Sequence, residues 1–210
     1  MLLTIQPRTR GKEAMENDGV LSLRKFCEVD LNDPFFDTLK ADYPGFEAWF
    51  QKKGNEKAFV FYGEDGSLQG FLYTKQEDEA LSDIQPNQPP AHRLKVGTFK
   101  VNAHGTKLGE RFMKKIFDIA RAVSAEEVYV TIFPKHAGLV GLLARYGFKK
   151  IATKQVGNAI EDVMSRSMVS LAGTAIESYP LAYFTWASSR STPPPFLGRR
   201  SLLPAAPPHV

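Results

Sequence analysis

The segment between residues 93 and 133 constrains the fold of this chain more than any other. It begins with a β-rich run, Arg93–Val101, and continues through a short turn into a helix expected over residues 107–123. In that helix, apolar residues recur every three or four positions with charged residues between them. The EVYVTIF run that follows is almost continuously apolar, which is typical of a central strand buried on both faces. The segment therefore predicts a strand, a long helix and a central strand in succession.

The rest of the chain adds shorter strands and helices. The triplet NDP at residues 32–34 predicts a helix start, because a capping side chain stands just before a proline in the first turn. Pro44 and Gly45 end that helix, and a second short one follows and stops at Gly54. An acidic and then proline-rich stretch predicts a surface loop over residues 77–91. Strands are expected over residues 21–26, 57–62, 68–73, 148–155 and 163–169, and a further helix over residues 139–146.

Composition divides the chain into three parts. Residues 1–19 are polar and lack periodicity, so we expect a flexible lead-in. Residues 20–169 are expected to form one domain, because a chain of 210 residues that is 43% hydrophobic and 11% aromatic can bury one sizeable core. Half of the prolines fall in residues 180–210. Residues 170–210 are therefore expected to form a Pro/Ser/Arg-rich tail, either a disordered extension or an atypical, frame-altered C-terminus.

Charge and cysteine content narrow the class of protein. Four arginines against one glutamate from residue 163 onward account for +3 of the net charge of +4, so the first 162 residues are close to neutral. No aromatic residues interleave with a basic stripe there, which disfavours nucleic acid as a partner. No stretch approaches a membrane-spanning length. The single cysteine, Cys27, forms no intrachain disulfide and shares no metal-ligand spacing with the four histidines, so we expect a cytoplasmic protein without a metal site.

The turn between the first strand of the central segment and its helix suits an anion. The first amides of a helix lack internal partners, and the positive end of the helix dipole points outward. Gly105 and Gly109 lie four positions apart in this turn, and the absence of a β-carbon lets the backbone approach a phosphate closely. The alternative, an ordinary strand-to-helix turn, stays open when this turn is considered alone.

The order of strand, HGTKLG, amphipathic helix, EVYVTIF strand and a helix ending in YGF resembles motifs A and B of the GNAT acetyltransferase superfamily over residues 20–155. In the family, the sequence of this loop is Gln or Arg, then two variable residues, then Gly, then one variable residue, and finally Gly or Ala. These positions fall on His104, Lys107 and Gly109, so the first two differ from the family pattern. The resemblance implies an α/β (α+β) fold with a mixed, mostly antiparallel central sheet of about six to seven strands flanked by about four helices.

The resemblance also implies acetyl-CoA as a co-substrate. Amides at the helix start would hold the pyrophosphate and Lys107 would add positive charge, unless Lys107 is a solvated lysine and His104 a plain turn residue. The family has a gap between its two central strands in which the pantetheine arm pairs like a strand, and Gly97 hints at the bulge that opens it. The expected cofactor-binding residues are Phe99, Lys100, Val101, His104, Gly105, Thr106, Lys107, Leu108, Gly109 and Glu110.

Acetyl transfer to an amine needs a base for the ammonium and a proton donor for the departing thiolate. The strand LKVGTFKV lacks the glutamate that family members often carry, so the base must come from the neighbouring loop. The loop and its end offer four titratable side chains, Glu77, Asp78, Glu79 and His92, acting directly or through water. Glu79 is our candidate among them.

The residue expected to protonate the thiolate differs even more from the family pattern. The tyrosine position of the family falls on Leu143, and Tyr146, three residues further on, is the nearest substitute. His136 stands where the family often has an asparagine that contacts the cofactor. We therefore take Tyr146, Glu79 and His136 as candidate catalytic residues, with a core or loop role as the alternative for each.

The function expected from the resemblance is N-acetyl transfer by direct attack of a primary amine, in a small molecule or a peptide, within a ternary complex. Leu143 and the missing strand carboxylate motivate the alternative, a catalytically impaired CoA-binding sensor or interaction module. Acceptor choice is expected to come from the first helices and from the loop over residues 77–91, whose acids would favour a cationic amine. Uncovered sheet edges would favour pairing of two chains as a homodimer.

Overall fold

The computed structural model describes residues 20–102 and 107–169 and contains a seven-stranded sheet flanked by four α-helices. The expected lead-in over residues 1–19 and tail over residues 170–210 lie outside the described residues. The strands are β1 (Ser22–Lys25), β2 (Lys57–Tyr62), β3 (Leu68–Glu77), β4 (Arg93–Val101), β5 (Glu127–Ile132), β6 (Lys149–Val156) and β7 (Ala159–Ser167). The α-helices are α1 (Asp37–Asp42), α2 (Phe46–Lys52), α3 (Leu108–Ala122) and α4 (Ala137–Arg145), and two 3₁₀ turns cover Phe26–Glu28 and Pro34–Phe36.

The sheet has the order β1-β2-β3-β4-β5-β7-β6, and every neighbouring pair is antiparallel except β4 and β5. The helix α3 makes the crossover between these two parallel strands, as a parallel connection requires. The fold class predicted from the sequence, a mixed, mostly antiparallel sheet of six to seven strands with about four helices, is confirmed.

Buried apolar side chains cover both faces of the sheet. The apolar stripe of α3 packs with α4 against the inner strands, and its residues Phe112, Met113 and Ile116 are fully buried. The short helices α1 and α2 lie over β2 and β3, where phenylalanines form a second core. Full burial of each large apolar side chain contributes roughly 1.5–3 kcal/mol, which fixes both layers on the sheet.

The 3₁₀ turn Pro34–Phe36 that leads into α1 begins as the sequence predicts for a helix start. The Asp33 carboxylate accepts a hydrogen bond of 2.8 Å from the Phe35 amide, with Pro34 in the first turn. Gly45 has a φ of +91°, a conformation that favours glycine, and it separates α1 from α2. This break leaves Asp42 and Tyr43 at the end of α1.

The two parallel strands separate after four paired residues. Their pairing begins at Arg93 with Glu127 and ends at Val96 with Val130, although β4 continues to Val101. At the closed end, the buried Arg93 donates a hydrogen bond of 2.6 Å to the Glu127 carboxylate. The sheet therefore splits from Gly97 onward.

A bulge at Gly97 accompanies this split. The register between β3 and β4 shifts from Tyr73 opposite Thr98 to Thr74 opposite Val96, so Gly97 is the extra residue. A Cβ at this position would lie 2.8 Å from Cδ1 of the Tyr73 ring, so only glycine fits without a shift. The bulge to which the sequence pointed is present.

Two segments differ from the sequence prediction. Strand β3 extends to Glu77, and the following loop is not purely a surface loop, because its Leu81 and Ile84 are buried against β6 and β7. Strand β7 begins at Ala159, four residues before the predicted start, because a turn at Gly157 with a φ of +57° leads directly back along β6. Across the described residues, no helix has both the length and the apolar character needed to cross a membrane.

Candidate active site

A cleft of about 980 Å³ opens where β4 and β5 separate. Its walls are the inner edges of these two strands, the first turns of α3 and α4, and the segment from α1 to α2. Its size lies at the upper end of the range of small-molecule and cofactor sites. Because the split passes through the sheet, the cleft has one side near α3 and α4 and another near α1, α2 and β7. We call these the donor side and the acceptor side.

Two helix N-termini border the donor side. Gly109 and Glu110 in the first turn of α3 line the cleft, as do Ala137 and Gly138 in the first turn of α4. The first amides of each helix have no intrahelical acceptor, and both helix dipoles point their positive ends toward this wall. The donor side is therefore suited to an anionic group.

The predicted cofactor-binding residues divide into three groups. Five of them line the cleft, namely Phe99, Lys100, Val101, Gly109 and Glu110. Leu108 is instead buried in the core, and Lys107, the exposed N-cap residue of α3, is not among the residues that line the cleft. His104, Gly105 and Thr106 lie outside the described residues.

Gly109 has a packing role that the sequence did not show. A Cβ at this position would lie 3.0 Å from Cδ2 of Leu142, which is tighter than most real contacts. The glycine thus lets α3 approach α4 closely, whether or not its backbone also approaches a ligand. A substitution here would disturb the helix contact as well as the cleft.

Lys100 points its side chain toward α1. Its ammonium donates hydrogen bonds to the Phe35 carbonyl and, at 2.6 Å, to the Thr38 hydroxyl, and it lies over the Phe35 ring. Burial lowers the pKa of Lys100 below its usual value. The side chain therefore ties β4 to Phe35 and to the first turn of α1.

The acceptor side contains a buried carboxylate, Glu161 on β7, which is 3% exposed and lines the cleft. The Tyr43 hydroxyl donates a hydrogen bond of 2.7 Å to its Oε1. The Tyr43 ring stacks on Phe133 at a centroid distance of 5.1 Å, which fixes its orientation. Burial and the neighbouring Glu161 carboxylate raise the pKa of Tyr43 well above its usual range, so its hydroxyl remains a neutral donor.

A histidine and an aspartate meet at the start of α4. His136, the N-cap residue of this helix, lines the cleft, and its Nε2 lies 3.0 Å from Oδ2 of Asp42. Lys135 donates to the other carboxylate oxygen of Asp42. An acid that holds one ring nitrogen orients the imidazole and leaves the second nitrogen, Nδ1, to exchange protons. Of the three candidate catalytic residues, His136 is the one that lines the cleft.

The structure does not bring Tyr146 or Glu79 to the cleft. Tyr146 is 2% exposed and packs in the core, with its ring 6.1 Å from that of Phe117 on α3, because it closes the far end of α4. Glu79 is exposed beyond the end of β3, where its carbonyl accepts a hydrogen bond of 3.2 Å from Arg93 at the closed end of the strand pair. The roles predicted for these two side chains are therefore not supported by their positions.

The other three residues predicted as candidate bases, Glu77, Asp78 and His92, also make contacts within the fold. Glu77 accepts a hydrogen bond from the Tyr129 hydroxyl, and Asp78 pairs with His92. His92 in turn contacts the Val123 carbonyl at 2.7 Å, which joins the start of β4 to the end of α3. None of the three side chains lines the cleft.

The sequence reasoning missed the polar groups of the acceptor side, namely Asp42, Tyr43 and Glu161. Tyr43 and Glu161 are 118 positions apart, so no local pattern links them. One indication was available in the sequence. Asp42 and Tyr43 directly precede the Pro44-Gly45 break, and side chains at such breaks often face a site.

Several solved structures with a similar fold are acetyltransferases. The chain aligns with an N-acetyltransferase from Staphylococcus aureus Mu50 at a TM-score of 0.52 and 14% identity, over 72% of this chain and 99% of that chain. It aligns with Arabidopsis thaliana NAA60 in complex with acetyl-CoA at a TM-score of 0.49 and 12% identity, over 70% and 99%. Its alignment with nourseothricin acetyltransferase, at a TM-score of 0.42 and 20% identity, covers 53% of this chain and 64% of that one, less than two thirds. No protein-family model matches the chain, and a search of curated proteins finds no matching sequence.

The fold of the protein is therefore that of a GNAT-type N-acetyltransferase, as the sequence resemblance implied.

Proposed function

We propose that the protein is an N-acyltransferase that transfers an acetyl group directly from acetyl-CoA to a primary amine. The observation that carries this proposal is the split of the central sheet. Parallel pairing stops at Val96 and Val130, a bulge marks the next residue, and a cleft that reaches both faces of the sheet begins there. Such a cleft lets a donor and an acceptor enter from opposite faces and meet inside the sheet.

The donor side fits an acyl-CoA by its chemistry. Among the described strands, the edge of β4 beyond Val96 has no partner on the side of β5, so its backbone is available to an extended chain with amide groups. The first turns of α3 and α4 offer amides to phosphate oxygens. Leu139 and Leu142 add an apolar wall from α4. These features favour a long ligand with an anionic end and an amide-rich arm.

Bound acetyl-CoA would supply the thioester, whose C–S bond breaks as the amine nitrogen forms a C–N bond with the carbonyl carbon. The nitrogen of an ammonium loses two protons in this reaction, of which one ends on the sulfur and the other in solvent. The chain must therefore provide a proton acceptor near the amine and a proton donor near the sulfur.

His136 is our candidate for the proton donor. It stands at the N-cap of α4, beside the donor-side residues Ala137 and Gly138. Asp42 holds its Nε2 and thereby orients the ring, so that Nδ1 delivers the proton to the sulfur and regains one from solvent. This role replaces the one predicted for Tyr146. A histidine in the cleft also favours turnover over the alternative of an inert CoA-binding module.

Calorimetry and a thiol assay test the proposal together. The protein is expected to bind acetyl-CoA and, with a panel of primary amines, to release free CoA thiol faster than the uncatalysed background. An absence of binding at about 1 mM acetyl-CoA would refute the whole proposal. Binding without thiol release from any amine of the panel would refute transfer and restore the inert module.

A further inference from the structure

Glu161 is a buried carboxylate without a cationic partner. It accepts a hydrogen bond from Tyr43, but within the described part of the chain it forms no ion pair. Its cross-strand neighbour Lys154 also lines the cleft, yet the Lys154 ammonium is paired with Asp83 at 2.6 Å. Glu161 therefore presents negative charge to the cleft that no side chain of the described residues neutralises.

Such a group costs stability unless a ligand supplies the missing charge. Removing a carboxylate from water is unfavourable, and one hydrogen bond from a neutral hydroxyl compensates only part of the cost. Tyr43 cannot neutralise Glu161 by giving up its proton, because burial and the carboxylate hold the phenol in its neutral form. An ammonium in the cleft would complete the site.

The cleft that Glu161 lines also has an aromatic wall. Tyr43, Phe46 and Trp49 all line the cleft, and the rings of Phe46 and Trp49 lie 5.5 Å apart. Aromatic faces attract cations and provide flat apolar surface at little cost in side-chain entropy. The combination of one buried carboxylate with an aromatic wall selects a molecule that has a single positive charge and an apolar body.

We propose that Glu161 and Tyr43 form the ammonium subsite of the acceptor, which is a monocationic primary amine with a flat apolar body, and that Glu161 is the base. This inference rests on the proposed acyl transfer. Glu161 takes one proton from the ammonium, and the nitrogen lone pair then forms the C–N bond as the C–S bond breaks. The protonated Glu161 releases its proton to solvent. The acylated nitrogen loses its second proton to solvent, from which His136 regains the proton that it gave to the sulfur.

Proton transfer to Glu161 follows from the surroundings of the pair. In an apolar site, an ammonium and a carboxylate both lose their hydration, and moving the proton from nitrogen to oxygen removes both charges. Tyr43 positions the carboxylate through its hydrogen bond and does not itself titrate.

Binding of matched ligands tests the subsite without turnover. We would titrate 2-phenylethylamine and 2-phenylethanol, which have the same body, into protein saturated with CoA. The wild type is expected to prefer the amine by about tenfold or more, and Glu161→Gln to lose this preference. Asp162→Asn is the matched control, because Asp162 is the next residue of β7, faces the opposite side and pairs with Lys150 at 2.6 Å. Equal behaviour of the two variants, or no preference in the wild type, would overturn the inference.

Kinetics separate this inference from the proposed function. Glu161→Gln is expected to bind acetyl-CoA like the wild type and to lower kcat/KM for 2-phenylethylamine roughly 100-fold or more. If Glu161→Gln does not fold, Tyr43→Phe provides the second variant. It removes one hydroxyl and is expected to raise the KM for the amine about tenfold with little change in kcat. Failure of the wild type to bind acetyl-CoA contradicts acyl transfer itself, whereas normal transfer by Glu161→Gln, or an unchanged KM in Tyr43→Phe, contradicts only the subsite.

Discussion

Filling the donor side of the cleft at Gly138 tests the site most directly. Gly138 lies in the first turn of α4 and lines the cleft, and a Cβ there would meet no atom within 4 Å. Gly141 lies one turn further along the same helix, has equally open space, and is not part of the cleft wall. Gly138→Trp and Gly141→Trp therefore form a matched pair. Gly109 would be a poorer choice because it packs against Leu142.

The expected size of the effect follows from the atoms displaced. A tryptophan side chain brings about ten non-hydrogen atoms into the donor side, and each ligand atom that loses its place forfeits roughly 0.3 kcal/mol. Their sum is about 3 kcal/mol, or roughly a 150-fold loss of affinity for acetyl-CoA. Replacing glycine in a helix gains about 0.5 kcal/mol of helix propensity in both variants, so neither should unfold.

Calorimetry with acetyl-CoA measures the affinities, and thermal unfolding checks that both variants are folded. The reasoning predicts a large loss of affinity in Gly138→Trp and a change of less than about threefold in Gly141→Trp. Wild-type affinity in a folded Gly138→Trp would refute the placement of the donor. An equal loss of affinity in both variants would also refute it, because the loss would then come from a change in α4 and not from a side chain that fills the cleft.

Three further predictions concern side chains that the site uses or leaves aside. His136→Gln should lower kcat by roughly 10²–10⁴ while the Kd for acetyl-CoA stays unchanged, and an unaltered kcat would remove this histidine from the mechanism. Tyr146→Phe should retain kcat within about threefold because the ring lies in the core, and a loss on the scale expected for a proton donor would reinstate it. Hydrogen bonds to Asp78 and to a backbone carbonyl raise the pKa of His92, so its stabilisation is fully present below the ordinary histidine pKa and is lost as pH rises through the raised value. Denaturation of wild type and Asp78→Asn across this pH range should show a stability difference that shrinks with rising pH, and a difference that grows would contradict the assignment.

The elements of the fold could be predicted because they depend on local patterns. Strand β4 has the predicted bounds, and α3 differs by one residue at each end, because apolar periodicity and turn residues define both elements within the chain segment itself. The bulge at Gly97 could be predicted for a similar reason. Glycine in a strand points to a bulge, and the contact with the Tyr73 ring explains why no side chain fits there.

The polar residue Glu161 could not be predicted as part of the site. Along β7, tertiary packing buries this polar residue and exposes an apolar one, which is the reverse of the usual preference. Ile160 is 54% exposed, whereas the adjacent Glu161 is 3% exposed. Polarity alone would place the isoleucine inward and the glutamate outward, so the pattern gives the wrong face. The core position of Tyr146 was out of reach for a related reason. Spacing from Leu143 gave its place along the helix but not its packing against α3.

The early end of the pairing between β4 and β5 also has a mechanical consequence. Among the described strands, β4 and β5 join the sheet half β1–β4 to the half β5–β7 through four residue pairs, and the Arg93–Glu127 ion pair lies at their far end. Strand β4 runs five residues beyond this junction, roughly 16 Å at about 3.3 Å per residue, so a rotation of about 5° moves its tip by about 1.4 Å. A small rotation at the paired end would therefore be amplified at the mouth of the cleft. This displacement is about the length of a C–C bond, and the contacts of Asp42 with His136 and of Tyr43 with Glu161 hold the two halves together across the mouth.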